Sequence, residues 1–310
     1  MKRENMAGSA MLVLTALIWG GAFVAQSTAM DHIGALTFNA VRFFIGALVL
    51  LPVIALTDAG KKRRGAYEKP SAGQQRYLWI SGVLCGLALG CATLVQQYAI
   101  IYTTVSKAGF ITALYIVLVP VLSIFFGKKP APMLWLCVAI AAVGLYFLCM
   151  TESFTISLGD GLAMVCSALF ALQIMLVSHF GPKCDSIRLS CIQFLVAGTL
   201  AGLLMLVFEK PSAQAIWDGR WSILYTGVLS SGVAYTLQIV GQKRTNPVLA
   251  SLLMSLESVF ASLFGALILH QIPSGREIFG CVLVFGAIVL AQVLPTEKKT
   301  PLPAHAREEK

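Results

Sequence analysis

Two charged side chains stand well inside apolar runs of this 310-residue chain, away from the ends of those runs: Glu257 within residues 247 to 269, and Arg42 within residues 34 to 57. An acidic group near the centre of a hydrocarbon layer is costly unless it faces a cavity, finds a partner or holds a proton. Glu257 therefore fits proton coupling, pairing with a substrate ammonium, or a structural hydrogen bond that locks two helices. Arg42 carries a planar guanidinium that can hold a carboxylate bidentately. With Asn39 and Gly46 it makes an i, i+3, i+7 stripe on one helical face. The same residue also fits a structural pair, or hydrogen bonds to carbonyls near the interface. Lys107 opens a further run; it is a candidate charge partner, although a helix-end lysine commonly snorkels to water.

Around these charges lie polar stripes with helical spacing. Ser231, Tyr235, Gln238 and Gln242 follow i, i+4, i+7, i+11, and Thr15, Trp19, Ala22 and Gln26 repeat that spacing. Ser251, Ser255, Ser258 and Ser262 make a third stripe, and Thr93, Gln96 and Gln97 follow Gly82-xxx-Gly86-xxx-Gly90. Small residues at such spacing let helices approach closely, so the serines and glycines read as packing surfaces. Tyr and Gln are bulkier and suit a cavity wall. The expected substrate contacts are Trp19, Gln96, Tyr115, Tyr235, Gln238 and Glu257, with Arg42, Lys107 and Glu257 as candidates for coupling or charge pairing.

The elements that must hold these residues are membrane helices. The chain is 57% hydrophobic and 12% charged, against roughly 25% charged in an average soluble domain. Apolar runs fall at about 8 to 28, 34 to 57, 77 to 98, 106 to 126, 132 to 150, 158 to 179, 187 to 208, 219 to 241, 247 to 269 and 276 to 294. The expected fold is an all-α integral membrane protein with ten transmembrane helices and no space for a sizeable soluble domain. The first run reads as a span rather than a cleavable leader, because it is long for a leader and is matched later in the chain.

The formal charge of +9 does not point to nucleic acid, because the basic residues are scattered between apolar runs rather than clustered. Counted by connection, 18 of the 23 Lys and Arg fall on the side of the amino terminus and only Lys210, Arg220 and Arg276 on the other. That asymmetry predicts cytoplasmic amino and carboxyl termini. Eight cysteines without a CxxC pair read as small packing residues, and neither a cofactor nor a metal is expected. No G-x-x-x-x-G-K-[ST] motif is present to cradle ATP phosphates; Gly127-Lys128-Lys129 lacks the earlier glycine.

The halves carry matched landmarks. Ala108, Leu114, Val117, Gly144 and Leu148 recur as Ala250, Leu256, Val259, Gly286 and Leu290 at one constant offset, which also aligns Tyr115 with Glu257. Ala40-Val41-Arg42-Phe43 resembles Cys191-Ile192-Gln193-Phe194, placing Gln193 opposite Arg42. Since each half has an odd number of runs, the second enters the membrane inverted, a common ground plan of secondary transporters.

In Trp19-Gly20, Arg42-Phe43, Lys107-Ala108-Gly109-Phe110, Pro120-Val121, Gly159-Asp160, Ser255 to Phe260 and Gly280 to Leu290, the sequence resembles the EamA branch of the drug/metabolite transporter superfamily. The resemblance implies two repeats, residues 8–150 and 158–294, between a cytoplasmic amino terminus (1–7) and tail (295–310). It implies export or exchange of a small metabolite, often an amino acid, across the bacterial inner membrane, coupled to a proton or other ion gradient or running as a facilitator. Members often carry Glu near the exit of the ninth helix, where this chain has His270-Gln271. Many have Pro after the helix 9 glutamate, where Ser258 is expected to keep the helix continuous. The rival readings are an intramembrane enzyme, for which His179 and His270 find no serine partner in a recognisable setting, and a structural or sensory membrane protein.

Overall fold

Inside lipid, backbone N–H and C=O groups have no water to pair with, so an apolar chain satisfies them within helices. The computed structural model describes residues 2–67, 69–103, 105–127, 130–149, 157–269 and 274–293. Among them the chain is helical and contains no strand. The first half comprises α1 (Lys2–Ala29), α2 (Ala35–Arg63), α3 (Ala72–Tyr102), α4 (Val105–Ala113), α5 (Tyr115–Phe125) and α6 (Pro132–Cys149). The second comprises α7 (Leu158–Phe180), α8 (Ser186–Phe208), the short α9 (Ala213–Asp218), α10 (Arg220–Leu224), a π-helical segment (Tyr225–Tyr235), α11 (Thr236–Gln242), α12 (Pro247–Met254), α13 (Leu256–Leu269) and α14 (Gly275–Val293).

Local chemistry sets the helix ends. Ser71 and Gln74 form a capping box at α3, as do Ser157 and Asp160 at α7, each satisfying two orphan N–H groups. Asp185 caps α8, and Asn246 caps α12 with Pro247 at its first position. The second run continues beyond residue 57 because the last turn of α2 carries Lys61, Lys62 and Arg63, cations that suit the negative end of the helix dipole.

Two apolar runs are interrupted. The fourth breaks at Leu114, between α4 and α5, and the ninth at Ser255, between α12 and α13. At Ser258 itself the helix is continuous, as expected, since α13 runs through it. The hydroxyls of Ser251 and Ser255 bond back to the carbonyls of Val248 and Leu252, both at 2.8 Å, in competition with the helical ladder. Those serines serve their own helix; Ser258 crosses to α4, its Oγ 3.5 Å from the Gly109 carbonyl.

Among the described residues, seven helices are long and apolar enough to cross a membrane, and those at Ile111–Phe125 and Pro132–Phe147 are shorter apolar helices. The helices pack as α2 on α8, α3 on α7 and α8, α6 on α14, and α1 on α13, α11 and the π segment. Gly82, Gly86 and Gly90 all meet α8, as their spacing predicted.

Basic connections gather at one end of the bundle. Arg188 pairs with Asp58, Lys61 lies 3.6 Å from Asp185, and the Lys243 ammonium donates to the Cys184 carbonyl. At the opposite end Glu209 accepts from the start of α2, and the Thr103 hydroxyl donates to Asp160 at 2.6 Å.

Candidate functional site

Helices from both halves line a narrow central cavity of about 30 Å³. The face Trp19, Ala22 and Gln26 of α1 forms one wall, as the spacing of that run predicted. Gln96 of α3, Tyr115 of α5 and Glu257 of α13 enter from the middle of the bundle, and Arg42 projects from α2. The eighth run supplies Ser230, Tyr235 and Gln238, while α7 adds Phe170 and Ile174.

The breaks before Tyr115 and Glu257 bring these two residues together. The Tyr115 hydroxyl donates to Glu257 Oε1 at 2.9 Å, and Oε2 makes no hydrogen bond to a described residue. Glu257 is 5% exposed and Arg42 2%, yet they form no ion pair with each other. Arg42 uses one donor, Nη1, which reaches Gln26 Oε1 at 3.1 Å, while Nε and Nη2 are buried without an acceptor. The rings of Phe43 and Phe38 hold its guanidinium, with centroids 4.8 and 5.4 Å away.

Tilted and edge-on aromatic contacts, with bonds to carbonyls, fix the opposite wall. The rings of Trp19 and Tyr235 stand 4.6 Å apart, and Tyr235 meets Phe194 edge-on at 6.0 Å. Trp19 Nε1 donates to the Ser230 carbonyl at 3.4 Å, the Thr15 hydroxyl to the Ala234 carbonyl at 3.1 Å, and Tyr225 to the Ile18 carbonyl at 3.0 Å. These bonds tie α1 to the π segment, whose i→i+5 ladder displaces its carbonyls from α-helical register. Towards the basic end, Gln238 and Gln173 exchange amide hydrogen bonds at 3.1 and 3.5 Å. Among the described residues no group of three His, Cys, Asp or Glu could hold a metal ion.

A cavity of this kind, polar, charged and enclosed between two halves, suits a solute in passage. The sequence model of the EamA-like transporter family matches residues 6–150 and again 157–292. The chain belongs to the EamA-like transporter family. It is a multi-pass membrane transporter and not an enzyme, in keeping with its relatives. An uncharacterized transporter of Archaeoglobus fulgidus is 30% identical over 291 residues, 91% of this chain and 84% of that protein. The threonine/homoserine exporter RhtA of Salmonella typhimurium is 25% identical over 289 residues, 89% and 88% of the two chains. Its counterpart in Escherichia coli K12 is 24% identical over 295 residues, 91% and 88%. A solved crystal structure superposes with a TM-score of 0.74 at 19% identity, covering 92% of this chain and 96% of the other, and shows the shared fold.

In this EamA protein, Trp19, Gln96, Tyr115, Tyr235, Gln238, Glu257 and Arg42 all face one cavity. The side chain of Lys107 lies outside the described residues, as do His270 and Gln271. The Asn39–Arg42–Gly46 stripe does not act as a unit: Asn39 bonds to Ala35 of its own helix, and Gly46 packs against Ser231. In the eighth run it is Ser230, five positions before Tyr235, that lines the cavity, and Ser231 is packed away. A π segment makes that exchange, because its turn is about one residue longer than an α turn. Sequence reasoning also missed Phe170, Ile174 and Gln173; the first two are apolar residues on an apolar helix, and Gln173 is the lone glutamine of its run.

Proposed function

We propose that this protein is a secondary transporter that exports a small metabolite, an amino acid or a related compound, by alternating access. The observation that carries this reading is the enclosed cavity between the halves, with Arg42 and Glu257 both buried in its walls. In this reading ten spans form two inverted five-helix repeats, residues 8–150 and 158–294. The pairwise packing supports it, since α1 against α11 and the π segment is the counterpart of α7 against α3, and α1 against α13 the counterpart of α7 against α5. The export of threonine and homoserine named for the two RhtA relatives favours amino acids as the solute class.

The membrane is a bacterial inner membrane, with both termini and the basic end of the bundle in the cytoplasm. The clustering of Lys61, Arg188 and Lys243 at one end supports that orientation. Trp19, Gln96, Tyr115, Tyr235 and Gln238 contact the solute, and Glu257 is the carboxylate that couples transport to protons or receives a substrate ammonium. The full chain reconstituted in liposomes, with a panel of labelled amino acids and other metabolites, tests the proposal. Saturable counterflow is the expected result. Large unsaturable currents would make it a channel, and release of a chemically altered product would make it an enzyme.

A further inference from the structure

The least satisfied group in the cavity wall is the Arg42 guanidinium. A buried cation is costly unless it is paired and hydrogen-bonded, and no Asp or Glu among the described residues lies within ion-pair distance of it. The rings of Phe38 and Phe43 attract the charge through their π-systems, but a ring offers no acceptor to an in-plane N–H. Gln26 accepts from Nη1 alone, and it is fixed for that task because its own Nε2 donates to the Ala22 carbonyl at 3.2 Å. What is left over is the Nε and Nη2 pair. These two parallel donors form the edge of an arginine that matches the two oxygens of a carboxylate.

We propose that Arg42 is the carboxylate-recognition residue of the cavity, its free Nε–Nη2 edge holding the carboxylate of the transported solute. The assignment rests on the transporter reading of this cavity and deepens it by naming the group that every solute must carry. Arg42 lines the cavity in which that solute would sit. Its guanidinium is oriented by Gln26 and the two phenyl rings, so little side-chain entropy is lost when the carboxylate arrives. The second buried charge, Glu257, is held away by Tyr115 and leaves Arg42 available. A zwitterionic amino acid and a simple hydroxy acid both satisfy this chemistry, whereas an amide or amine of the same size does not.

Binding of L-threonine, 3-hydroxybutyrate and L-threoninamide to the purified full chain in detergent tests this directly, by titration calorimetry and thermal shift. Both carboxylates are expected to bind wild type at least tenfold more tightly than the amide, the difference expected for a charge-assisted bidentate contact. Arg42→Lys keeps the charge and loses the fork, and is expected to reduce that discrimination several-fold while the unliganded protein keeps its cooperative melting. The acid-against-amide comparison in wild type needs no variant, so a misfolded substitution does not rescue the idea. Equal binding of acid and amide overturns it, as does undiminished discrimination in Arg42→Lys, or no binding by either carboxylate. Tight binding of 3-hydroxybutyrate with none of threonine keeps the subsite and removes the amino-acid reading. Counterflow of a solute without a carboxylate keeps the transporter and removes the subsite.

Discussion

Tyr115 and Glu257, which stand 142 positions apart in the chain, share a hydrogen bond of 2.9 Å in the middle of the bundle. Each follows a one-residue interruption of its helix, at Leu114 and Ser255. The two halves of the chain therefore meet here, as a phenol in one and a carboxylate in the other. Such a joint has two consequences: it latches α5 to α13, and it ties the arrangement of the halves to the state of one ionisable group.

Glu257→Gln mimics a permanently neutral carboxyl in nearly the same shape. Downhill counterflow is expected to persist in this variant, while accumulation driven by an imposed pH gradient is lost. Measured in proteoliposomes, an unchanged rate and an unchanged pH dependence would remove the coupling role. Tyr115→Phe deletes only the donor. Loss of a hydrogen bond to a charged group costs about 1.5–3 kcal/mol, so this variant is expected to melt earlier than wild type in detergent.

Close packing of α3 on α8 yields a second expectation. A Cβ on Gly86 would lie 2.8 Å from the Gln193 carbonyl oxygen and 2.7 Å from Val196 Cβ, so backbone must move. Gly86→Ala is expected to destabilise by about 1–3 kcal/mol. Gly161 of α7 is the control, since nothing lies within 4 Å of a Cβ placed there. Gly161→Ala is expected to be neutral or to stabilise by roughly 0.4–1 kcal/mol through the unfolded chain. Equal melting temperatures for the two variants would contradict the packing.

The residues that gather at the cavity were legible because each is a polar or aromatic side chain at helical spacing in an apolar run. Trp19, Gln96 and Tyr235 could hardly be placed elsewhere at lower cost. Other features left no such mark. The π register over Tyr225–Tyr235 changes which serine faces inward without changing composition, and no proline announces it. The break at Ser255 arises from hydroxyls bonding back to carbonyls, a competition that a serine stripe permits but does not compel. Phe170 and Ile174 are apolar residues on an apolar helix, indistinguishable by type from those that face lipid.

Glu209 provides a long-range helix cap, and with it a sign reversal. Its carboxylate accepts from the backbone of Leu36 and Thr37 at 2.9 and 2.8 Å and from the Thr37 hydroxyl at 2.6 Å, while Gly34 at the start of α2 offers no side chain of its own. Glu209→Ala is expected to cost about 1–3 kcal/mol. Gly34→Asp alone should also destabilise, because its side chain would meet the Glu209 carboxylate and set a second negative charge against it. In the Glu209→Ala background the same aspartate finds the space open and supplies a local cap, so the double variant is expected to melt above Glu209→Ala. Additive losses would show that Glu209 is not the cap.

The neighbouring serines of the eighth run separate an α-helical register from the π register. Were Tyr225–Tyr235 an α-helix, Ser231 would share the face of Tyr235 and Ser230 would point elsewhere. In the structure Ser230 lines the cavity with Tyr235, while the Cβ of Ser231 lies 2.7 Å from where a Gly46 Cβ would stand. A cysteine at Ser230 is therefore expected to react with a small water-soluble maleimide, and one at Ser231 to remain unlabelled, in a chain with its native cysteines removed. Leu263, 49% exposed on the outer face of α13, is the lipid-facing control and should resist the same reagent. A solute that binds the cavity should protect the cysteine at position 230 from labelling. The reverse pattern, with 231 labelled and 230 silent, would mean that the segment is an α-helix and that α1 is tied to it by other bonds than those of Thr15 and Trp19.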